Sequence, residues 1–255
     1  MLTSPRILIP LPLAFLLAVS CSPETTQPST PSGSDQASAT AIEPAATSDL
    51  PPFDPDNFVS GVDNPLFPLP LGRRLIYRGS DEGEPVVDIT DITRDKKTIL
   101  GVHVVTVLDR LFQDGQLTEK TFDWYAQDRE GNVWYMGEDT KELENGRVVS
   151  TAGSFEAGEN GARAGIIMRA HPKLFQITPQ EDAPGVAEDK ARVIDLDQVV
   201  TVLGTRRHCI KTAEFTDLEP DALEYKLYCR GLGIVRERDV RGGSSHDHLV
   251  KVVSR

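Results

Sequence analysis

The sequence predicts an all-β domain, a mainly antiparallel sheet curled into a barrel-like or half-barrel shape, following a disordered N-terminal tether. Three observations predict it. Short apolar and β-branched runs recur through residues 53–255, separated by Gly, Asn and Asp turn signals. Sustained helical periodicity is missing from that stretch. Residues 22–52 are rich in Ser, Thr, Pro, Ala and Gly, and their few apolar groups cannot offset the entropy of ordering them.

Taken in order, residues 1–20 carry one early charge, Arg6, then an apolar run over residues 7–19 and the string Ala18-Val19-Ser20-Cys21. A transmembrane helix needs roughly 20 apolar residues. This run is shorter and is broken by Pro10 and Pro12. Ala18 and Ser20 also fit an ordinary secretory cleavage site. A cysteine directly after Ser20, followed by low-complexity chain, is what a lipid-anchored protein needs. The expected organisation is a lipoprotein signal peptide (1–20), a lipidated Cys21 opening a flexible tether (21–52) and a single β domain (53–255). The expected location is the cell envelope, held to a membrane by lipid and facing the periplasm or exterior.

Within the domain, residues 74–79 and 86–93 read as the first strands. Asp114-Gly115 marks a hairpin between residues 99–112 and 116–127. Symmetric pairing about it sets Arg110 opposite Glu119, Asp109 opposite Lys120, Val107 opposite Phe122 and Val105 opposite Trp124. A turn at Asp128-Arg129-Glu130-Gly131 then pairs Trp124 with Tyr135 and Tyr125 with Trp134. Asn145-Gly146 marks a third hairpin. The Gly-rich residues 153–184 suggest a long loop or a short helix. Further strands are expected at 187–196, 199–203, 234–240 and 248–253.

Residues 207–215 and 223–229 form the most informative pair. Folding about Glu219 puts Cys209 directly opposite Cys229, and in an oxidising compartment these two are disulfide candidates. The same register places Phe215 against Leu223 and Ala213 against Tyr225 on the cysteine face, with Thr212 and Lys226 on the other. One pair fits badly: Glu214 faces Glu224, and like charges directly opposite destabilise.

The opening Asn64-Pro65-Leu66-Phe67-Pro68-Leu69-Pro70-Leu71-Gly72, the strings around Trp124 and Trp134, and Gly231-Leu232-Gly233-Ile234-Val235 are familiar together. They resemble a family of uncharacterised bacterial exported proteins, often lipoproteins, in which an N-P-x-F-P-L-x-x-G opening leads into an all-β domain. The resemblance spans residues 63–253 and implies the fold and no particular activity. Leu66 stands where an aromatic is usual, and Leu75 where Trp is usual.

Composition excludes some functions. The formal charge is −12, and losing Arg6 with the leader makes it −13. A basic nucleic-acid footprint is therefore absent. The net charge also disfavours attachment to anionic lipid, leaving the membrane contact to the acyl group. No G-x-S-x-G, H-E-x-x-H, paired C-x-x-C or phosphate loop occurs. No cofactor is expected, and no catalytic or metal-binding residue is assigned. His246-Asp247-His248 is the one local histidine cluster, and two ligands do not close a zinc site. The acids Asp128, Glu130 and Asp139 match no complete calcium loop.

The candidate ligand-binding residues are Trp124, Tyr125, Trp134 and Tyr135, with Asp123 and Glu138 beside them. Their hairpin is aromatic on both faces. Either protein covers both faces, or one lines a groove for an apolar or sugar-like ligand. The expected function is non-catalytic binding of an apolar, glycan or protein partner in the envelope. Two alternatives stay open. One is a structural lipoprotein docking another envelope protein, and the other a hydrolase with an unusual acidic site using Asp123 and Glu138.

Overall fold

The computed structural model describes residues 50–254; residues 1–20, Cys21 and most of the tether lie outside the described residues. Among the described residues the chain forms one 3-10 turn (Pro55–Asn57) and sixteen strands. A two-residue strand β1 (Phe58–Val59) precedes a long meander: β2 (Arg73–Asp81), β3 (Glu84–Ile99), β4 (Val102–Gln113), β5 (Gln116–Asp128) and β6 (Val133–Glu144). Next come β7 (Arg147–Ser150), β8 (Phe155–Glu156), β9 (Arg163–Met168), β10 (Ile177–Pro179) and β11 (Glu181–Asp182). A second meander completes the chain: β12 (Asp189–Val202), β13 (Thr205–Thr216), β14 (Leu223–Cys229), β15 (Gly233–Arg241) and β16 (His246–Ser254). The stretch 153–184 thus holds short strands joined by turns and no helix, and residues 187–203 hold one interrupted strand rather than two. No helix among the described residues is long and apolar enough to cross a membrane.

Every pairing is antiparallel, and β16 lies against β2, so the two meanders join into one sheet nearly closed as a barrel. The remaining gap lies between β12 and β9. One short stretch of chain spans it: β10 pairs with β12 through Ile177, Thr178 and Pro179, and β11 pairs with β9 through Glu181 and Asp182. Between them Gln180 donates its backbone N–H to Asp189 O at 2.7 Å. This strap crosses β9 so closely that a Cβ on Gly165 would lie 2.2 Å from the Gln180 carbonyl oxygen. With so few ladder pairs, and with the buried side chains of Gln180 and Glu181 lacking hydrogen bonds of normal geometry, the strap is a weak part of the wall. Gly165→Ala is expected to push it off, at a cost of about 1–3 kcal/mol. Hydrogen exchange should then quicken at residues 177–182 before it does in β13 or β14; uniform exchange would refute this.

Bulges reset two registers. The β4–β5 hairpin starts as the Asp114-Gly115 turn dictates, with Gln113 opposite Gln116 and Phe112 opposite Leu117. Thr118 is then extra on β5, its hydroxyl donating to Leu111 O at 3.3 Å. All later pairs shift by one, so Arg110 faces Lys120, Val107 faces Asp123 and Val105 faces Tyr125. Arg110 instead pairs with Asp91, which also takes two bonds from Arg74 at 2.7 Å. The β5–β6 turn is one residue longer than its sequence suggests, because Asp128 closes it with Asn132: the Asp128 carboxylate accepts Asn132 N–H at 2.7 Å and Nδ2 at 2.8 Å. Tyr125 therefore faces Tyr135, and Trp134 faces Ala126. A second bulge at Met136 puts Trp124 opposite Gly137 and Asp123 opposite Glu138. Gly137 has φ +132°, and a Cβ there would meet Phe155 O at 2.3 Å, so the bulge needs glycine.

The β13–β14 hairpin has the register expected from its sequence, from Cys209 opposite Cys229 to Glu214 opposite Glu224. The two cysteines form a disulfide with Cα atoms 4.2 Å apart. Closing a loop of this length removes about 3 kcal/mol of unfolded-state freedom. Reduction should lower the urea midpoint by a corresponding amount while leaving the far-ultraviolet spectrum intact below it.

The N-P-x-F-P-L stretch folds over one end of the barrel. Asn64 latches it: Oδ1 accepts Leu66 N–H at 2.8 Å, and Nδ2 donates to Gly131 O at 2.8 Å. Pro65 O accepts Gly231 N–H at 2.7 Å. Leu66, Phe67 and Leu69 are thereby buried in the inner core with Ile92, Val107, Tyr135, Ile210 and Tyr228. Three segments that carry the resemblance thus meet at one end of the molecule. A second core on the other face of the wall holds Trp124, Trp134, Met136 and Ile166, with Leu50 and Phe53 packed against it.

Candidate functional site

Below the Phe67 layer the barrel interior turns acidic. Alternation along β13 and β14 sends Thr212, Glu214, Glu224, Lys226 and Tyr228 inward, the face opposite the disulfide. Lys226 is 1% exposed, which for a lysine requires paired charge. Its Nζ lies 3.5 Å from Glu214, 3.3 Å from Glu224 and 3.3 Å from Glu237 of β15. The like-charge pair Glu214–Glu224 is thus bridged by an ammonium. Glu214 is the best supplied acid, since Thr212 Oγ1 and Tyr228 OH donate to its Oε1 at 2.7 and 2.9 Å. Burial pushes Glu224 well above the carboxylate range, with Glu237 and Glu214 adding to it and Lys226 opposing. Burial also opposes the charge on Lys226, but Glu224, Glu237 and Glu214 together outweigh it and raise its pKa.

A second group of acids lies on β5 and β6. Tyr135 OH is 2.6 Å from Asp123 Oδ1 and 2.8 Å from Glu138 Oε2. A phenol has one proton to donate, so the second short contact needs a proton on a carboxyl. Both carboxyls are suited to hold it. Burial, then the charge of Asp109, raises Asp123 to about 8 against the pull of Tyr135 and Lys226. Burial, then Glu181 and Asp123, pushes Glu138 well above its ordinary value. Glu181, on the strap, is raised by burial and by Asp189, and Asp189 itself is raised to about 6, chiefly by burial.

Two adjoining cavities separate these groups from the plug. The first, of about 80 Å³, has an apolar wall of Phe67, Leu75, Ile92, Val107 and Leu232 facing Asp88, Asp109, Asp123 and Glu237. The second, of about 60 Å³, reaches Glu119, Thr121 and Lys226. Tyr125 and Ile234 line both.

The residues singled out in the sequence divide between the two faces. Asp123, Tyr125, Tyr135 and Glu138 come together inside, with Tyr125 and Tyr135 stacked at 4.9 Å. Trp124 and Trp134 lie on the opposite face. Lys97 Nζ lies 3.4 Å from the centre of the Trp124 ring. Phe53 and Phe58 pack edge-on against Trp134, whose Nε1 donates to Asp128 at 2.9 Å. This sorting differs from the expected pairing of Trp124 with Tyr135 and of Tyr125 with Trp134. Protein packs on both faces of the hairpin, and each face also borders open space: Asp123 and Tyr125 line the two inner cavities, and Trp134 lines an outer one of about 370 Å³ with Phe53 and Leu100. Cys209 and Cys229 are bonded to each other, and Cys21 lies outside the described residues. Sequence reading misses Lys226, Glu237, Glu181 and Asp189; the Glu214–Glu224 conflict, with a lysine two residues on, is the signal that could have found the first. Among the described residues no group of three or more His, Cys, Asp or Glu is arranged to hold a metal ion.

No protein-family model matches the chain, and no curated protein matches it. Two solved structures are similar over most of its length. One is a candidate lipoprotein from Parabacteroides distasonis, 12% identical, covering 74% of this chain and 98% of its own at a TM-score of 0.40. The other is a β-barrel-like protein of a domain of unknown function from Brucella abortus, 15% identical, covering 72% and 98%, also at 0.40. Likeness at this level carries no function across.

Proposed function

We propose that this protein is a lipid-anchored envelope protein that binds a small ligand inside its barrel, the ligand having an apolar body and a polar, cationic end. The cavity beneath Phe67 supports this reading: one wall is aliphatic and aromatic, while the other presents Asp88, Asp109, Asp123 and Glu237. Apolar surface supplies affinity there, and the carboxyls fix orientation and charge preference. At about 80 Å³ the space admits part of a ligand, such as its cationic end.

The test is native mass spectrometry of the full chain carrying Cys21→Ser, purified from an envelope extract without detergent. A bound mass released on denaturation, and carrying an amine, is the expected result. A clean unbound mass, or a bound anionic lipid, would overturn the reading. A second reading, acid–base hydrolysis, is favoured by the proton shared among Asp123, Tyr135 and Glu138, of which Asp123 lines both cavities. It predicts turnover of an ester or glycoside that is lost in Asp123→Asn while ligand binding survives.

A further inference from the structure

Between β9 and β10 the loop of residues 169–176 carries the most exposed large apolar side chain among the described residues. Phe175 is 68% exposed, Leu174 45% and Ile177 38%. Phe175 also has φ +66°, a conformation that a bulky side chain avoids and that persists only where the surroundings enforce it. Here they do. Phe175 N–H donates to Val193 O at 2.7 Å, Val193 N–H to Gln176 O at 3.1 Å, and Gln176 N–H to Lys173 O at 3.0 Å. The loop is therefore a fixed point that holds an aromatic ring in solvent, a costly arrangement in a protein with no use for it.

Its charge differs from the rest of the molecule. In a chain of net charge −12, residues 161–180 contain no acid but hold Arg163, Arg169, His171 and Lys173. His171 and Lys173, just before Phe175 in the loop, are exposed, and so is Arg192, paired opposite Ile177. The position of the loop is equally specific. Ala170 N–H donates to Asn132 Oδ1 at 3.0 Å, and Asn64 Nδ2 lies 3.4 Å from Arg169 O. The chain enters the domain against the same β5–β6 turn, through Arg129 N–H to Asn57 O at 2.9 Å and Asn57 Nδ2 to Glu130 at 2.6 Å. The loop thus begins at the plugged end, where the preceding chain arrives.

We infer that Leu174 and Phe175 form a finger that rests in an anionic lipid surface, with Lys173 and Arg192 at headgroup level and the plugged end of the barrel turned towards the membrane. Apolar side chains flanked by cations are what such an interface takes up. The acidic remainder of the surface opposes deeper adsorption, so contact is confined to the finger. This surface lies apart from the cargo site and stands or falls separately from it.

The test uses the full chain with Cys21→Ser, which cannot be acylated, carrying either Phe175→Trp or, as a control on exposed β7, Val149→Trp. Vesicles of phosphatidylcholine with or without phosphatidylglycerol are prepared with brominated acyl chains. The expected result is a blue shift and quenching of the tryptophan at position 175 on phosphatidylglycerol vesicles, reversed by salt, with none at position 149. Lys173→Glu should weaken vesicle affinity at least about fivefold. An unshifted signal at position 175, equal quenching at both positions, or a blue shift that grows with protein concentration without vesicles would each overturn the inference. The last would assign the finger to a second copy of the chain.

Discussion

Lys226→Met is expected to lower stability by about 3–5 kcal/mol at neutral pH, the cost of removing one partner from a buried ionic cluster. The methionine fills much the same volume, so the loss is electrostatic rather than a cavity. Glu214, Glu224 and Glu237 are left around an apolar end in place of the ammonium that bridges them. For a domain of this size the melting temperature should fall by roughly 2–4 °C per kcal/mol. The variant should also show a pH dependence of its own. Without the ammonium that opposes its rise, Glu224 is held still more firmly in its protonated form, so the deficit shrinks towards pH 5 and widens towards pH 9. A deficit below about 1 kcal/mol that is constant with pH would mean the cluster is neutral for another reason.

The second large effect is the pH dependence of the unaltered protein. Asp123 is raised to about 8 and Asp189 to about 6, while Glu138, Glu181 and Glu224 move in the same direction. The folded state therefore keeps protons that the unfolded chain gives up near pH 4. The stability these groups contribute is full below that point and declines as pH rises through 6 and on to 8. Asp123 alone sets an upper bound on the order of 5 kcal/mol, since every tenfold gain in proton affinity on folding is worth about 1.4 kcal/mol. Because it shares a proton with Glu138 through Tyr135, its effect does not add to that of Glu138. Urea midpoints should fall from pH 5 to about 8, and Asp123→Asn should make that fall shallower. At pH 9 that variant should be the more stable protein. Parallel curves for the two would exclude Asp123 as the group that titrates.

What the sequence reveals of this fold depends on how local the cause is. Turn chemistry at Asp114-Gly115 and Asn145-Gly146 is local, and those hairpins form where it says. The Cys209–Cys229 register follows from one turn and an uninterrupted alternation. The aromatic hairpin fails the same reasoning because its turn, closed by Asp128 and Asn132, holds one residue more than expected, while Thr118 and Met136 each add a residue to one strand further on; a single insertion moves every later side chain to the other face. Tyr135 and Glu138 are three apart, a spacing that in a regular strand puts them on opposite sides; the Met136 bulge is what unites them over one proton. The ionic cluster is hidden for a different reason. Glutamate and lysine at alternate positions read as a solvated face, and only closure of the barrel makes that face the inside.

That closure also constrains the order in which the molecule assembles. Within each meander, neighbours in space are neighbours in sequence and hairpins zip at little entropic cost. The junction of β16 with β2 and the strap at residues 177–182 are another matter, because each holds together two halves that are otherwise complete. Until both form, β2, β9, β12 and β16 are open edges, and the carboxyls destined for the interior are still in water. The slow step of folding should thus be the meeting of two preformed half-sheets, and it coincides with the step at which the buried acids take up their protons. Refolding should consequently quicken as the solution is made mildly acidic, even though the hairpins themselves zip with those acids still hydrated.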